Sequence, residues 1–336
     1  MLAQDTKTVQ GEGIFGDFCL CLAWSMGRHM LGFKEKPIPA PAAQCLLVIR
    51  QASRRCRKAD LALESLMQTD LAHCLQLRFG RSFEQPAELS PEQTAALLRI
   101  ANHTSHRVWS DQAISEPLLQ VLTACALSAP SKSFLQQADL IRVRRSDLRE
   151  KFNQLIPSMP WIADAPEFWV VCANGRRLRH LFARQGQAFV NEHLDALFNA
   201  SIDAGLVLMN LIRAAEEAGL VCCPISVIRD QAELVSGWLE LPQHVLPVAG
   251  LCMGYPQSPR NPVPRLPLDA SVHQDRFDDQ RIDQQLAEFD KRWIEAQSAS
   301  TGKPATAWTV DKQKQYSKTQ RPDWGAFVRK QGFSTD

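Results

Sequence analysis

Residues 193–218 constrain this chain more than any other segment. Leu197, Ala200, Ala204, Leu208, Leu211 and Ala215 recur three or four apart, with further apolar residues between them, from about His193 to Ala218. That period lays an apolar stripe along an α-helix. At 1.5 Å per residue the helix would be about 39 Å long, and it is apolar on too many sides for a surface position. It belongs at the centre of a domain or at an interface, and the remaining elements must be arranged around it.

The flanking sequence supplies those elements. Ser90-Pro91-Glu92-Gln93 is a capping-box start with proline at the first helical position, so a helix should run to about Asn102. A second helix fits Glu116 to Leu127, and residues 138–143 read as a strand. Ser146 opens another helix, and Phe168 to Cys172 is a short apolar run typical of a buried strand. After Gly219, residues 220–225 read as a strand. Asp230-Gln231-Ala232-Glu233 repeats the capping-box pattern for a helix to about Leu239, and Val245 to Met253 is a further strand. Helices alternating with strands from about 90 to 295 predict a layered α+β or α/β domain. The tail beyond Ser298 is polar and carries Trp308, Arg321 and Trp324.

The first eighty residues differ. They hold five of the ten cysteines (Cys19, Cys21, Cys45, Cys56 and Cys74), the stretch Pro37-Ile38-Pro39-Ala40-Pro41 and the basic cluster Arg54-Arg55-Cys56-Arg57-Lys58. This composition predicts a poorly ordered extension with one helix near 60–77, upstream of a later natural start such as Met67.

Composition narrows the function classes. With 38 basic against 36 acidic residues and a net charge of +2, the chain has no long-range field for nucleic acid or anionic lipid. Neither nucleic acid nor membrane is an expected partner. The apolar stretch Ile14 to Trp24 is interrupted by Asp17 and lacks a basic leader, and no run reaches the roughly 18 apolar residues of a spanning helix, so the expected location is the cytoplasm. The cysteines lack regular spacing and read as reduced thiols, with Cys125, Cys172 and Cys252 as core residues. Cys222 and Cys223, adjacent in a strand, should face opposite sides of the sheet. Gly11-Glu12-Gly13-Ile14-Phe15-Gly16 has an acidic residue, Glu35, about twenty positions on, yet no strand precedes it. Cys19-x-Cys21 has no metal-site spacing, and neither a Ser-His-Asp order nor a G-x-S-x-G elbow occurs.

Chemistry concentrates in three polar segments. His103-Thr104-Ser105-His106-Arg107 follows a helix and packs donors closely enough to clamp a phosphate. Ala129-Pro130-Ser131-Lys132-Ser133-Phe134-Leu135-Gln136 is a second polar loop at a helix end, and Pro264-Arg265-Leu266-Pro267 lies downstream. Together with Ala165-Pro166-Glu167-Phe168-Trp169, residues 241–247 and Gly250-Leu251-Cys252-Met253-Gly254-Tyr255-Pro256, these segments resemble the FMN-dependent nitroreductase superfamily. The nearest branch is that of the oxygen-insensitive NADPH nitroreductases and flavin reductases, over roughly Ser90 to Asp336.

The resemblance implies an α+β fold, with a mixed central sheet wrapped by helices and the long helix at a homodimer interface. Residues 86–297 would form the FMN-binding domain, 298–336 a tail packing on the domain or the partner subunit, and 1–85 an extension. FMN would lie between subunits. His103, Ser105 and Arg107 match positions holding its phosphate and ribityl chain, Arg265 matches a phosphate ligand, and Ser131 and Ser133 lie in the loop beside the flavin. Pro224-Ile225-Ser226-Val227 matches the loop whose amides meet flavin N5 and O4. Four departures stand out: Thr104 replaces an arginine, Val263 a lysine, Met159 a glutamine, and Ser226-Val227 two glycines. Lys132 and His106 are candidates to replace the lost cations. In the tail, Lys303 and Arg321 are candidates to hold the extra phosphate of NADPH, with NADH the alternative donor. The implied reaction is ping-pong two-electron reduction of nitroaromatics, quinones or related small acceptors. The alternatives are a flavin reductase supplying reduced FMN to a monooxygenase, and a flavin-binding protein with little turnover.

Overall fold

The periodic segment folds as a single 24-residue helix, Leu194–Glu217, lying across one face of a four-stranded sheet. The computed structural model describes residues 70–84 and 86–336, within a unit spanning Thr69–Asp336. The glycine string with Glu35, the Cys19-x-Cys21 pair, the proline stretch, the basic cluster and Met67 lie outside the described residues.

In chain order the elements are α1 (Leu71–Phe79), α2 (Pro91–Ala101), α3 (Glu116–Leu127), β1 (Ala138–Arg142), α4 (Ser146–Leu155), β2 (Glu167–Asn174), α5 (Arg176–Arg184), α6 (Leu194–Glu217), β3 (Val221–Ile225), α7 (Ala232–Trp238), β4 (Val245–Gly254), α8 (Ile282–Thr301), α9 (Trp308–Tyr316) and α10 (Trp324–Lys330). Short 3-10 turns at Lys132–Phe134, Pro160–Ile162 and Val227–Gln231 interrupt the connections.

The sheet order is β1-β2-β4-β3. All three pairings are antiparallel, so the sheet is not mixed as expected. β2 and β3 run parallel to one another, but β4 inserts between them and runs opposite to both. The α+β class stands.

Side-chain alternation sorts the sheet into two apolar faces. Trp169, Val171, Ala173, Cys222, Leu251 and Met253 pack against α3 and α6 on one side. Phe168, Val170, Cys172, Cys223, Ile225 and Cys252 pack with Phe152, Ile162 and Ile228 on the other. Cys222 and Cys223 therefore do face opposite ways. The six described cysteines are free thiols, and Cys125 is exposed on α3 rather than in the core. Burial pushes the Cys172 thiol up to about 12, which leaves it inert at neutral pH.

Three small residues of α6, Ala200, Ala204 and Ala215, are fully buried against the sheet. Its mean hydropathy reaches 1.3 over 18 residues, so by length and composition alone it is apolar enough to cross a membrane, although Asp195, Asp203 and Arg213 interrupt it and no continuous apolar run of that length is present in it, in line with the sequence expectation. It packs on the sheet and carries the buried Asp203. Its other flank exposes Leu194, Phe198, Ile202, Leu206 and Met209 as one stripe.

Local signals held where their partners are local. Ser90 and Gln93 form the reciprocal capping box at α2. At Asp230 the box does not form: α7 starts two residues later, after a 3-10 turn, because the Asp230 carboxylate pairs instead with Arg321. The tail is structured as well. Phe327, Val328 and Phe333 bury against Ala232 and Leu246, and the Asp336 carbonyl accepts the Leu194 amide at the start of α6.

Gly250 in β4 leaves room for Ile225 and Phe168. A Cβ there would stand 2.8 Å from Ile225 Cγ1 and 2.9 Å from Phe168 Cε2. Gly250→Ala should destabilise the protein by about 1–3 kcal/mol through overpacking. A urea denaturation midpoint equal to that of the unsubstituted protein would contradict this packing.

Candidate functional site

The chain leaves α2 at Asn102 and runs along the end of β3. The His106 amide donates to the Cys222 carbonyl at 3.0 Å, and Trp109 bridges to Pro256 beyond β4. This places His103, Thr104, Ser105, His106, Arg107 and Val108 in one wall of a cavity of about 910 Å³. Residues 258–261, Val263 and Arg265 form the opposite wall, and Trp293, Gln297 and Ser300 of α8 close the end.

Among the described residues no acidic side chain lines this cavity, while three arginines do: Arg107, Arg260 and Arg265. Several arginines elsewhere carry carboxylate partners, as in Arg142 with Glu116 and Glu167, Arg179 with Glu192, and Arg213 with Glu216 and Glu217, while Arg149, Arg229 and Arg292 donate to backbone carbonyls. Among the described residues no ion pair reaches Arg107, Arg260 or Arg265. Uncompensated guanidinium groups around a concave site form an anion receptor, and their planar donors match phosphate oxygens.

Two networks hold the clamp loop. Glu216, near the end of α6, pairs with His103 Nδ1 and with Arg213 at 2.9 Å. Glu216 thereby occupies one ring nitrogen of His103 and leaves Nε2 for a ligand. From behind, the Arg78 side chain of α1 donates to the Ala101 and His103 carbonyls and, at 3.2 Å, to the Val263 carbonyl. The Arg78 carbonyl accepts the Arg265 amide at 2.6 Å and Arg292 Nη1 at 3.0 Å. Arg78 is 5% exposed, and burial, followed by the neighbouring Arg265, pushes its guanidinium below the usual value. It joins both walls of the cavity, yet in the sequence it is one basic residue at the end of a short helix.

The remaining expected residues divide between this region and another. The Arg107 guanidinium lies 5.7 Å from the Trp161 ring, next to Met159, which packs against the second apolar face. Arg149 of α4 donates to the Ile162, Ala163 and Ala165 carbonyls and so fixes that loop. β3 ends in Pro224 and Ile225, and the following turn opens with the amides of Ser226 and Val227, which no intrahelical carbonyl reaches. The Val227 side chain packs into the second face. The Ser226 carbonyl and hydroxyl accept from Arg321 Nη2 at 3.3 and 3.4 Å, while Arg321 Nε pairs with Asp230 at 2.7 Å. Lys303 is exposed just past the end of α8.

Ser131, Lys132 and Ser133 are not part of this arrangement. Their loop borders a different cavity, of about 550 Å³, lined by Ser131, Asp139, Trp169, Arg177 and Asp203 among others. The Lys132 and Gln137 amides donate to the two oxygens of Asp203, at 3.0 and 3.1 Å. Within one protomer Lys132 therefore does not replace a clamp cation as expected. Arg260 and Arg78 are the residues the sequence reading missed.

Residues 100–255 match the sequence model of the Nitroreductase family, and 264–336 match that of its C-terminal domain. The oxygen-insensitive NADPH nitroreductase of Salmonella typhimurium is 31% identical over 240 residues, covering 70% of this chain and 97% of that protein. The chain belongs to the nitroreductase family. Another family relative, the FMN reductase [NAD(P)H] of Bacillus subtilis, is 28% identical over 245 residues, with 70% of this chain and 97% of that protein covered. Among solved structures, B. megaterium NfrA2 superposes with a TM-score of 0.69 at 29% identity, covering 72% of this chain and 98% of its own. α1, with Arg78, lies outside both family matches.

The cavity fits the phosphate end of FMN, given its unpaired arginines and the buried His106 Nε2 that finds no hydrogen-bond partner. Arg78→Met should lower stability by at least about 2 kcal/mol, because the carbonyls of Ala101, His103 and Val263 lose a charged donor. An unchanged urea midpoint would show that Arg78 does not brace the cavity.

Proposed function

We infer that this protein is an FMN-dependent NAD(P)H oxidoreductase that reduces nitroaromatics, quinones or related small acceptors by two electrons in a ping-pong cycle. The single observation carrying this reading is the arginine-lined cavity, with no acidic side chain among the described residues, at the position the family resemblance gives to the FMN phosphate. Relatives named FMN reductase and NADPH nitroreductase support it.

Bound FMN would supply the chemistry, taking hydride from a reduced nicotinamide and passing two electrons to the acceptor. The chain's own task is to bind, orient and exclude water. We assign His103, Ser105, Arg107 and Arg265 to the phosphate and ribityl chain, with Thr104 beside them. The amides from Pro224 to Val227 serve the polar edge of the ring, and donors fixed before reaction stabilise charge that develops there. Met159 borders the ring pocket. The Val227 side chain, seated in the core, leaves its backbone amide available. Lys303 is exposed and enters no ion pair among the described residues, so it is free to meet the nucleotide phosphate, and Arg321, held by Ser226 and Asp230 beside the ring amides, is the second candidate.

A homodimer completes the site in this reading. Asp203 and Glu216 lie 13 residues apart on α6, about 20 Å along its axis. The Ser131–Ser133 loop held by one is therefore remote from the clamp held by the other. A second copy docked on the exposed stripe from Leu194 to Met209 would bring its Ser131, Lys132 and Ser133 to the flavin. Residues 86–297 form the flavin-binding body and 298–336 the tail upon it, with α1 as a brace. A reduced nicotinamide donor suits a cytoplasmic location. Free FMN as acceptor is the second reading, favoured by the name of the B. subtilis relative.

Initial rates with NADPH and a nitroarene varied together should give parallel double-reciprocal lines. Intersecting lines would contradict a cycle in which oxidised nucleotide leaves first, and absence of turnover with any acceptor would contradict the enzyme assignment. Phe198→Glu should convert a dimer to a monomer in sedimentation. Retention of the dimer mass would remove α6 from the interface.

A further inference from the structure

Thr104 and Val263 stand where the family resemblance calls for two cations, yet the cavity is not short of positive charge. Arg260, three residues before Val263, reaches across the opening, and its Nη1 donates to the Ser105 carbonyl at 3.3 Å. It lines the same cavity as Arg107 and Arg265, with no carboxylate partner among the described residues. Below it lies His106, only 6% exposed. Its Nδ1 faces the Thr104 carbonyl at 3.1 Å and the Thr104 hydroxyl at 3.2 Å, while its Nε2 is buried without a hydrogen-bond partner. A buried ring nitrogen left in that state is costly, and the cavity is where a partner can arrive.

The surroundings of the ring agree. Burial is the main cause holding the His106 imidazole below its ordinary value. The Thr104 carbonyl opposes this, Arg260 adds to it, and the Ser258 carbonyl, which approaches the ring without closing a hydrogen bond of normal geometry, and Glu216 act in the raising direction. Burial and Arg260 thus favour the neutral ring, whereas an anion beside Arg260 reverses the balance.

We propose that Arg260 and His106 replace the two missing cations as ligands of the FMN phosphate, and so carry this chain's preference for FMN over riboflavin. The charge has moved along the sequence while staying on the same cavity. Arg260 supplies a fork of donors from the 258–261 wall. His106 takes a proton from solvent when the phosphate enters, then donates from Nδ1 to Thr104 and from Nε2 to a phosphate oxygen. Thr104 becomes the support of the ring that substitutes for its own lost charge. This rests on the FMN reading above.

The test is a pair of binding titrations, FMN and riboflavin, followed by quenching of flavin fluorescence in the full chain and three variants. Riboflavin lacks only the phosphate, so it reports any general damage to the ring pocket. Arg260→Ala and His106→Gln should each weaken FMN at least tenfold and riboflavin less than twofold. Adding Val263→Lys to Arg260→Ala should restore most of the lost FMN affinity by returning a cation to the expected position. The proposal is overturned if either substitution leaves FMN affinity unchanged, if FMN and riboflavin weaken in parallel, or if the unsubstituted protein binds the two flavins equally. The last result would leave the FMN assignment intact. Binding of neither flavin would overturn both.

Discussion

The packing of α6 on the sheet is the contact on which the rest depends. Ala200, Ala204 and Ala215 carry almost no side chain, so the helix lies close against Val171, Ala173 and Leu251. That close approach sets the position of every other residue on the helix. Asp203 meets the amides of the 131–137 loop, and Glu216 meets His103 in the clamp. One rigid element therefore positions two loops far apart in the sequence. Sites built this way hold their geometry better than sites on free loops.

Electrostatics turn this scaffold into a receptor. Several arginines, among them Arg142, Arg179 and Arg213, are paired with neighbouring carboxylates, which contributes modestly to stability. Around the clamp the pattern stops, and Arg78 is spent on carbonyls so that Arg107, Arg260 and Arg265 can face the cavity. Mutual repulsion of these cations is a standing cost that a bound anion offsets, so the folded state should gain stability as ligand is added. The other loop stores strain instead. Ser133, Phe134 and Gln136 all have φ near +50°, a conformation costing of order 1–3 kcal/mol at each non-glycine position. Asp203 holds it there, and Phe134 is left 89% exposed at its tip.

Much of the fold was legible because its determinants are local. The period of residues 193–218 fixed the central helix, and Ser90-Gln93 fixed the start of α2, since both signals lie within one or two turns. Period two placed Cys222 and Cys223 on opposite faces. What escaped depended on distant partners. Asp230 resembled a helix cap, but Arg321 claims it from 91 positions away. Strand direction follows from β4 inserting between β2 and β3, which no local pattern encodes. The clamp loop was visible as a string of donors, while Arg260 and Arg78 were single basic residues without periodic or motif context. Their meaning lies in the shared cavity and the carbonyls they meet.

Taken together, the residues describe a scaffold that contributes charge, amides and shape while a bound flavin contributes redox chemistry. The measurement that bears most directly on this account is the visible absorption spectrum of the protein equilibrated with FMN, gel-filtered, and then titrated with NADPH without oxygen. The account predicts that the protein retains the flavin, that the visible band bleaches with one equivalent of NADPH, and that adding a nitroarene restores it. A protein that emerges free of flavin, or whose bound flavin keeps its colour in the presence of NADPH and NADH, would contradict it.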